Sequence, residues 1–258
     1  MSSRIHPTVL IDPSAEIDDD VEIGPFSIIG PSVQVGRGAR IASRVTLERN
    51  VRLAAGAQIG TGSILGGPPQ DLKYGGEETW VEIGERSIIR EYSTVNRGTT
   101  ASGITSVGAE CFLMSYVHIA HDCQVGDGAI IANGSQLAGH VTIEARAILS
   151  GLVAVHQFTK IGTHAFVGGA TRVNQDVPPF VKAVGNPVEL YGLNSIGLTR
   201  HGVPPATIAA LKRTYRLFFN SDLNLGQAIE RARSEVPDLP EVAHFIAFVA
   251  SSQRGVPA

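Results

Sequence analysis

Residues 5–36 read IHPTVLIDPSAEIDDDVEIGPFSIIGPSVQVG, and every sixth position from Ile5 is a branched aliphatic: Ile5, Ile11, Ile17, Ile23, Ile29 and Val35. Stepping on by six to Val173 visits 29 positions, of which 26 are Ile, Leu or Val; the exceptions are Asp71, Glu77 and Ala101. Four residues after each apolar position the chain nearly always has Ala, Ser, Thr, Cys or Val, as at Val9, Ala15, Val21, Ser27, Val33 and Ala39. Glycine often follows the apolar position directly, as at Gly24, Gly30 and Gly36. Such a period is no helical stripe, because turns of about 3.6 residues would carry the apolar position around the helix within a few repeats. It fits short strands separated by corners, with one large and one small side chain inward per hexad. The expectation is a mainly β chain wound as a parallel β-helix. With three hexads to a coil, residues 18 apart would stack at roughly 4.8 Å, the spacing of neighbouring strands.

Two stretches break the rhythm. GGPPQDLKYGGEETW (66–80) is polar, yet Ile83 resumes the same register, so it reads as a loop thrown out from one corner. A weaker interruption runs from Thr99 to Thr105. After Val177 the hexads fade into Pro178 and Pro179, and helical spacing begins. Ile208, Leu211, Tyr215 and Phe218 share one face, as do Leu225, Ile229, Ala232 and Val236, and then Val242, Phe245, Ile246 and Val249. The expected organisation is a β-helix over 1–189, with its loop at about 66–80, and a small α-helical domain over 190–258.

The 258 residues are 43% hydrophobic and 17% charged, which excludes a disordered chain. No apolar run is long enough to span a bilayer and no secretory signal opens the chain, so no transmembrane segment and a cytoplasmic location are expected. Cys111 and Cys123 are the only cysteines, and both fall on the small inward position of their hexads. Core packing is therefore expected of them, rather than disulfides or nucleophilic catalysis. The net charge of -3 excludes the basic footprint of a nucleic-acid binder. Residues 1–178 carry 13 Lys/Arg against 18 Asp/Glu, whereas residues 179–258 carry 8 against 6.

Four of the eight histidines, His118, His121, His140 and His156, gather in one stretch of the chain. Counting by 18 stacks His121, Gly139 and Gln157 in one column and Asp122, His140 and Phe158 in the next. An imidazole-rich patch is therefore expected on the outside of the coil near one corner.

The hexads resemble those of the hexapeptide acyltransferases. The strings QDLKYGGE (70–77), HIAHDCQVG (118–126), LAGH (137–140), AVHQF (154–158) and QDVPPF (175–180) resemble more narrowly the acyl-[acyl-carrier-protein]--UDP-N-acetylglucosamine O-acyltransferases. The likeness spans nearly the whole chain, loop and helical tail included. It implies a left-handed coil, a homotrimer, and transfer of a 3-hydroxyacyl chain from acyl carrier protein to the 3-hydroxyl of UDP-N-acetylglucosamine, the first step of lipid A biosynthesis. It implies no cofactor and no metal. Both a 3-hydroxyl and a 3-amino acceptor sugar are compatible with these residues.

Residue by residue, the resemblance makes His121 the general base. An imidazole with a pKa near 6.5 can take the proton of a sugar hydroxyl, worth roughly 10² to 10⁴ in rate. Asp122 would orient or stabilise that imidazole, but strand neighbours point to opposite faces, so the pair needs a corner or a neighbouring chain. Gly139, one coil above His121, would offer its backbone N–H to the oxyanion. Asp71, Lys73, His118, His140, His156 and Gln157 match positions that hold the UDP-sugar or the acyl-pantetheine. Asn194 and Arg200 match nucleotide contacts, and Gly169 matches the position limiting acyl length, where a glycine leaves room for a longer chain. Ile196 and His201 depart from the family, which frequently has Glu and Arg there. The basic tail, through Arg200, Lys212, Arg213 and Arg216, is the expected docking face for the acidic carrier protein. Two rival readings are a zinc enzyme of the γ-carbonic-anhydrase type, using the same histidines as ligands, and a non-enzymatic β-helix scaffold. The single loop and helical tail argue against the former, and the gathering of polar residues in one region against the latter.

Overall fold

Outside the two interruptions the hexads form strands of two to four residues joined by tight corners in the computed structural model, which describes residues 3–257. Successive turns pair in parallel: Ile5 with Ile23, Ile23 with Ile41, and Ile41 with Ile59. The outcome is three sheets of 11, 9 and 8 strands facing one another. Within them the hexad aliphatics form stacked columns, and Ile29, Leu47, Leu65, Ile119 and Leu137 are almost wholly buried. Each such side chain contributes about 1.5–3 kcal/mol by leaving water. The small position turns inward beside it, which is why Ala39, Ala57, Ser63, Ser93 and Ala129 are also buried. Cys111 and Cys123 occupy this position; both are free and buried, and burial pushes the Cys123 thiol up to about 12.

The corners explain how a coil can turn so sharply every six residues. Their second residue adopts the left-handed backbone conformation, as at Phe26 (φ 60°), Asp122 (φ 60°) and His140 (φ 62°). This conformation is unfavourable for a residue with a side chain. It persists because the strands on either side are held by the coils above and below.

Both interruptions lengthen a coil by a whole number of hexads. Ile64 pairs with Thr94, five hexads on, and Thr94 pairs with His118, four hexads on, where three is the rule. The loop between the strands Ile64–Gly67 and Trp80–Ile83 therefore leaves the core columns in register. Arg97, largely buried, anchors it: the guanidinium donates to the carbonyl of Gly66 and, at 3.1 Å, to the hydroxyl of Tyr74.

The last parallel strand, Val181–Val184, pairs antiparallel with Glu189–Leu193, and four helices follow: α1 (Ser195–Arg200), α2 (Pro205–Phe219), α3 (Leu225–Glu235) and α4 (Pro240–Ser251). Leu211 of α2 and Val242, Phe245, Ile246 and Val249 of α4 are buried as their spacing predicts, while Ile208, Tyr215 and Phe218 are partly buried against them. The face predicted for α3 needs correction. Leu225 is 47% exposed, and Ala228 joins Ala232 on the buried side. Leu225 is the first helical residue after the Asn224 cap, so it lies at the helix end rather than along the packed stripe. A separate clasp ties α4 to the coil: His244 Nε2 donates to Glu144 Oε2 at 2.7 Å, and the backbone N–H and Oγ1 of Thr163 donate to the same oxygen.

Candidate active site

The strand His118–Ile119 ends in a corner at His121 and Asp122, and that corner resolves the geometric difficulty of the pair. The left-handed conformation of Asp122 brings its carboxylate back, so that Oδ2 lies 2.7 Å from His121 Nδ1. The carboxylate is buried, and the Thr99–Thr105 interruption wraps it. Thr99 donates through its backbone N–H (2.9 Å) and Oγ1 (2.8 Å), and Ser102 through its backbone N–H and hydroxyl. Burial alone would raise the Asp122 carboxyl, but the hydrogen bonds from Ser102, His121 and Thr99 hold it at about 2. Asp122 is thus an anion at neutral pH and can only accept, so His121 Nδ1 carries the proton between them, and in the neutral ring the lone pair lies on Nε2.

The other face of the His121 ring rests on Gly139, as the 18-residue column predicts. A β-carbon at Gly139 would fall 2.5 Å from His121 Cε1 and 2.7 Å from Nε2, so only glycine leaves space for the ring as it lies. The Gly139 N–H has no hydrogen-bond acceptor among the described residues. His140 stands edge-on to His121, with ring centres 5.0 Å apart, and stacks on Phe158 at 4.4 Å. Its Nδ1 lies 3.7 Å from Asp122 Oδ2.

A groove of about 540 Å³ runs past this corner, lined among others by Gln70, His118, His121, Gly139, His156, Gln157 and Arg172. His118 shares a 2.7 Å hydrogen bond with Thr94 Oγ1, and burial, aided by the neighbouring His121, lowers its pKa. Of the predicted site residues, the structure gathers His118, His121, Gly139, His156 and Gln157 on this groove, with Asp122 behind His121. His140 abuts them through His121 but turns toward Phe158. Asp71 and Lys73 sit on the loop beyond Gln70 and do not line the groove of this single chain; the Asp71 carboxylate accepts from the Lys73 backbone N–H at 3.0 Å. Asn194 and Arg200 lie at the two ends of α1, where Asn194 caps the helix and donates to the carbonyl of His164 at 3.0 Å. Gly169 is exposed at its corner, with the carbonyl of Gly151 3.3 Å from where a β-carbon would be. Ile196 is 71% exposed, and His201 packs on His164 at 4.8 Å, ring centre to ring centre. Burial, with His201 and Arg146 near, pushes His164 down to about 4.

His121, Asp122 and His140 also bring three potential metal-ligand atoms within 4.8 Å of one another. Their arrangement is that of a hydrogen-bonded pair, because Asp122 Oδ2 already accepts from His121 Nδ1 and Thr99 Oγ1.

Comparison with known proteins decides the family. A relative from Burkholderia mallei (strain SAVP1), an acyl-[acyl-carrier-protein]--UDP-N-acetylglucosamine O-acyltransferase, is 51% identical over 263 residues, covering 98% of this chain and 99% of its own. The chain belongs to this acyltransferase family. The O-acyltransferase of Alkalilimnicola ehrlichii is 46% identical over 193 residues, 74% of this chain and 75% of the relative. The family model for domain 2 of the UDP-N-acetylglucosamine O-acyltransferases matches residues 176–257, and that for bacterial transferase hexapeptide repeats matches 104–139. A third model, a GMPPB C-terminal domain, matches residues 5–105. Among solved structures, LpxA from Acinetobacter baumannii superposes with a TM-score of 0.96 at 42% identity, over 98% of this chain and 99% of that one. LpxA from Bacteroides fragilis 9343, a UDP-N-acetylglucosamine acyltransferase, gives 0.97 at 38% identity, with coverage of 98% and 99%. The fold is the left-handed parallel β-helix that the family resemblance implies. Among the described residues no helix is long and apolar enough to cross a membrane.

Gln70, Arg172, Thr99 and Ser102 escaped the sequence reading. Gln70 opens the string that marked the loop, and Thr99 and Ser102 lie inside the noticed interruption, yet nothing in a hexad count aims either at Asp122.

Proposed function

We propose that the chain transfers a 3-hydroxyacyl group from acyl carrier protein to the 3-hydroxyl of UDP-N-acetylglucosamine by direct attack, opening lipid A biosynthesis. The observation that carries this reading is the His121 ring, fixed by Asp122 on one side and seated on a bare Gly139 on the other, beside an open groove. His121 Nε2 takes the proton of the sugar hydroxyl as its oxygen bonds to the thioester carbonyl carbon. Negative charge gathers on the carbonyl oxygen, where the unengaged Gly139 N–H is the donor at hand. The tetrahedral species collapses with cleavage of the carbon–sulfur bond, and the imidazolium returns its proton to the departing pantetheine thiolate. Asp122 keeps the imidazole in the productive tautomer and stabilises the imidazolium. The step requires no cofactor or metal.

In this reading His118, His140, His156 and Gln157, with Asp71 and Lys73 of the loop, hold the UDP-sugar or the acyl-pantetheine. Asn194 and Arg200 serve the nucleotide. The absent side chain at Gly169 leaves room for a long acyl chain. The working form is a homotrimer, carried over from the hexapeptide acyltransferases. Arg200, Lys212 and Arg216 form the docking face for the acidic carrier protein; Arg213 is less available because it pairs with Glu235 at 2.8 Å. The test is mass spectrometry of products from a mixed pool of acyl carrier proteins and UDP-sugars. A 3-O-acylated UDP-N-acetylglucosamine supports the reading, and product on a 3-amino sugar alone, or none, overturns it.

A further inference from the structure

The chain after α4 turns back onto the coil and is pinned there. Ser252 Oγ donates to Asp176 Oδ2 at 2.7 Å, the Asp176 backbone N–H donates to the carbonyl of Gly255 at 2.8 Å, and Gln175 Nε2 reaches the carbonyl of Val256. Asp176 is itself almost wholly buried and accepts from the Lys160 backbone N–H at 2.7 Å. This mooring carries Arg254 onto His156, 98 residues away in sequence. Arg254 Nη2 contacts His156 Nδ1 and lies 3.4 Å from Nε2.

The guanidinium has a charge to spare. Among the described residues it makes no ion pair, and its buried Nε–H has no acceptor. A second cation neighbours His156: among the described residues Arg172 makes no ion pair, it lines the groove together with His156, and the next residue, Val173, accepts the His156 backbone N–H at 2.8 Å. Among the described residues no Asp or Glu lines the groove, and Asp122 is buried behind His121. One unneutralised guanidinium on His156 and another lining the groove beside it, with no carboxylate on that lining, form a seat for a phosphate oxyanion.

We propose that Arg254, delivered by the C-terminal tail, forms with Arg172 and His156 a phosphate-binding subsite at the end of the groove remote from His118. The proposal rests on the acyltransferase reading, in which both substrates carry phosphate: the diphosphate of the UDP-sugar and the phosphodiester of the pantetheine arm. Arg254 and Arg172 are binding residues here, and proton transfer stays with His121.

The experiment compares fragments that differ only in phosphate, by calorimetry on the full-length protein. The pairs are UDP against uridine and 4′-phosphopantetheine against pantetheine. The unmodified protein should prefer one phosphorylated member, and Arg254→Gln and Arg172→Gln should each reduce that preference roughly tenfold or more while leaving the unphosphorylated fragment unchanged. Arg254→Lys should retain part of the preference, which a merely structural role would not give. A fall confined to the UDP pair assigns the subsite to the diphosphate, and a fall confined to the pantetheine pair assigns it to the phosphodiester. Unmoved ratios in variants of normal melting temperature and oligomeric size, or no phosphate preference in the unmodified protein, overturn the proposal. Failure of the unmodified protein to acylate UDP-N-acetylglucosamine overturns the underlying reading instead.

Discussion

His121 and Asp122 are consecutive residues whose side chains meet at 2.7 Å, on a scaffold that otherwise sends neighbours to opposite faces. The left-handed backbone at Asp122 makes the meeting possible, and the hydrogen bonds from Thr99 and Ser102 hold the carboxylate in place.

Those hydrogen bonds set an acid dependence. Asp122 sits at about 2 in the folded chain against an ordinary 3.8, so its stabilisation is fully present above the ordinary value and lost as pH falls through about 2. The magnitude is about 2 kcal/mol. Asp122→Asn should lower unfolding stability by about that amount near neutral pH, and the gap from the unmodified protein, followed by urea titration, should narrow toward about pH 2. A gap that stays constant across this range would mean that the carboxylate charge is not what the surrounding donors stabilise.

His121→Ala should cut turnover by roughly 10² to 10⁴. Circular dichroism and sedimentation should show an intact coil and unchanged assembly, because the ring is on the outside of the core. Near-normal turnover would remove His121 as the base.

Gly139→Ala probes the other side of the same ring. The new methyl would lie 2.5 Å from His121 Cε1, so the imidazole must move. Since Gly139 is a corner residue outside the left-handed region, the backbone tolerates alanine, and the melting temperature should change little. Turnover should fall by about a hundredfold or more through the displaced base and the crowded oxyanion donor. Full activity in this variant would show that the ring has no fixed working position.

The His244–Glu144 clasp predicts a different pH signature. Its hydrogen bond with Glu144 raises His244 above its ordinary 6.5, and Glu144, although burial would raise it, is held below its ordinary 4.5 by His244 and Thr163. The His244 contribution is fully present below 6.5 and lost as pH rises through the raised value; that of Glu144 is present above 4.5 and lost as pH falls through the lowered value. The clasp should therefore be strongest between 4.5 and 6.5. His244→Ala should lower the melting temperature more near pH 5.5 than near pH 8.5, read by calorimetry. An equal loss at both pH values would assign His244 a packing role against Phe180.

The hexads made the coil legible because a six-residue period has one simple structural solution. They also made the His121–Gly139 contact legible, since residues 18 apart must stack. The insertions at 66–80 and 99–105 did not spoil this reading, because each lengthens a coil by a multiple of six. What the interruption at Thr99 does was not legible: its path back to Asp122 is set by tertiary packing between segments a whole coil apart. The Arg254–His156 contact was hidden for the same reason, with 98 residues between partners and no periodicity joining them. Leu225 misled because spacing defines a helical face without saying where the helix starts.

In a stacked coil each turn leans only on the turns beside it, so cohesion is distributed along the axis and cannot be equal at both extremities. The turn beginning at Arg4 leaves Ile5, Leu10 and Ile11 partly open to water, whereas the far extremity buries Val177, Val181 and Leu193 and is tied to α2 and α4. Unravelling should thus start at the uncovered rim and lose momentum toward the covered one, giving amide protons a graded exchange rate along the axis. His121 and Gly139 lie in turns well beyond the middle, so the rim can breathe without disturbing the imidazole.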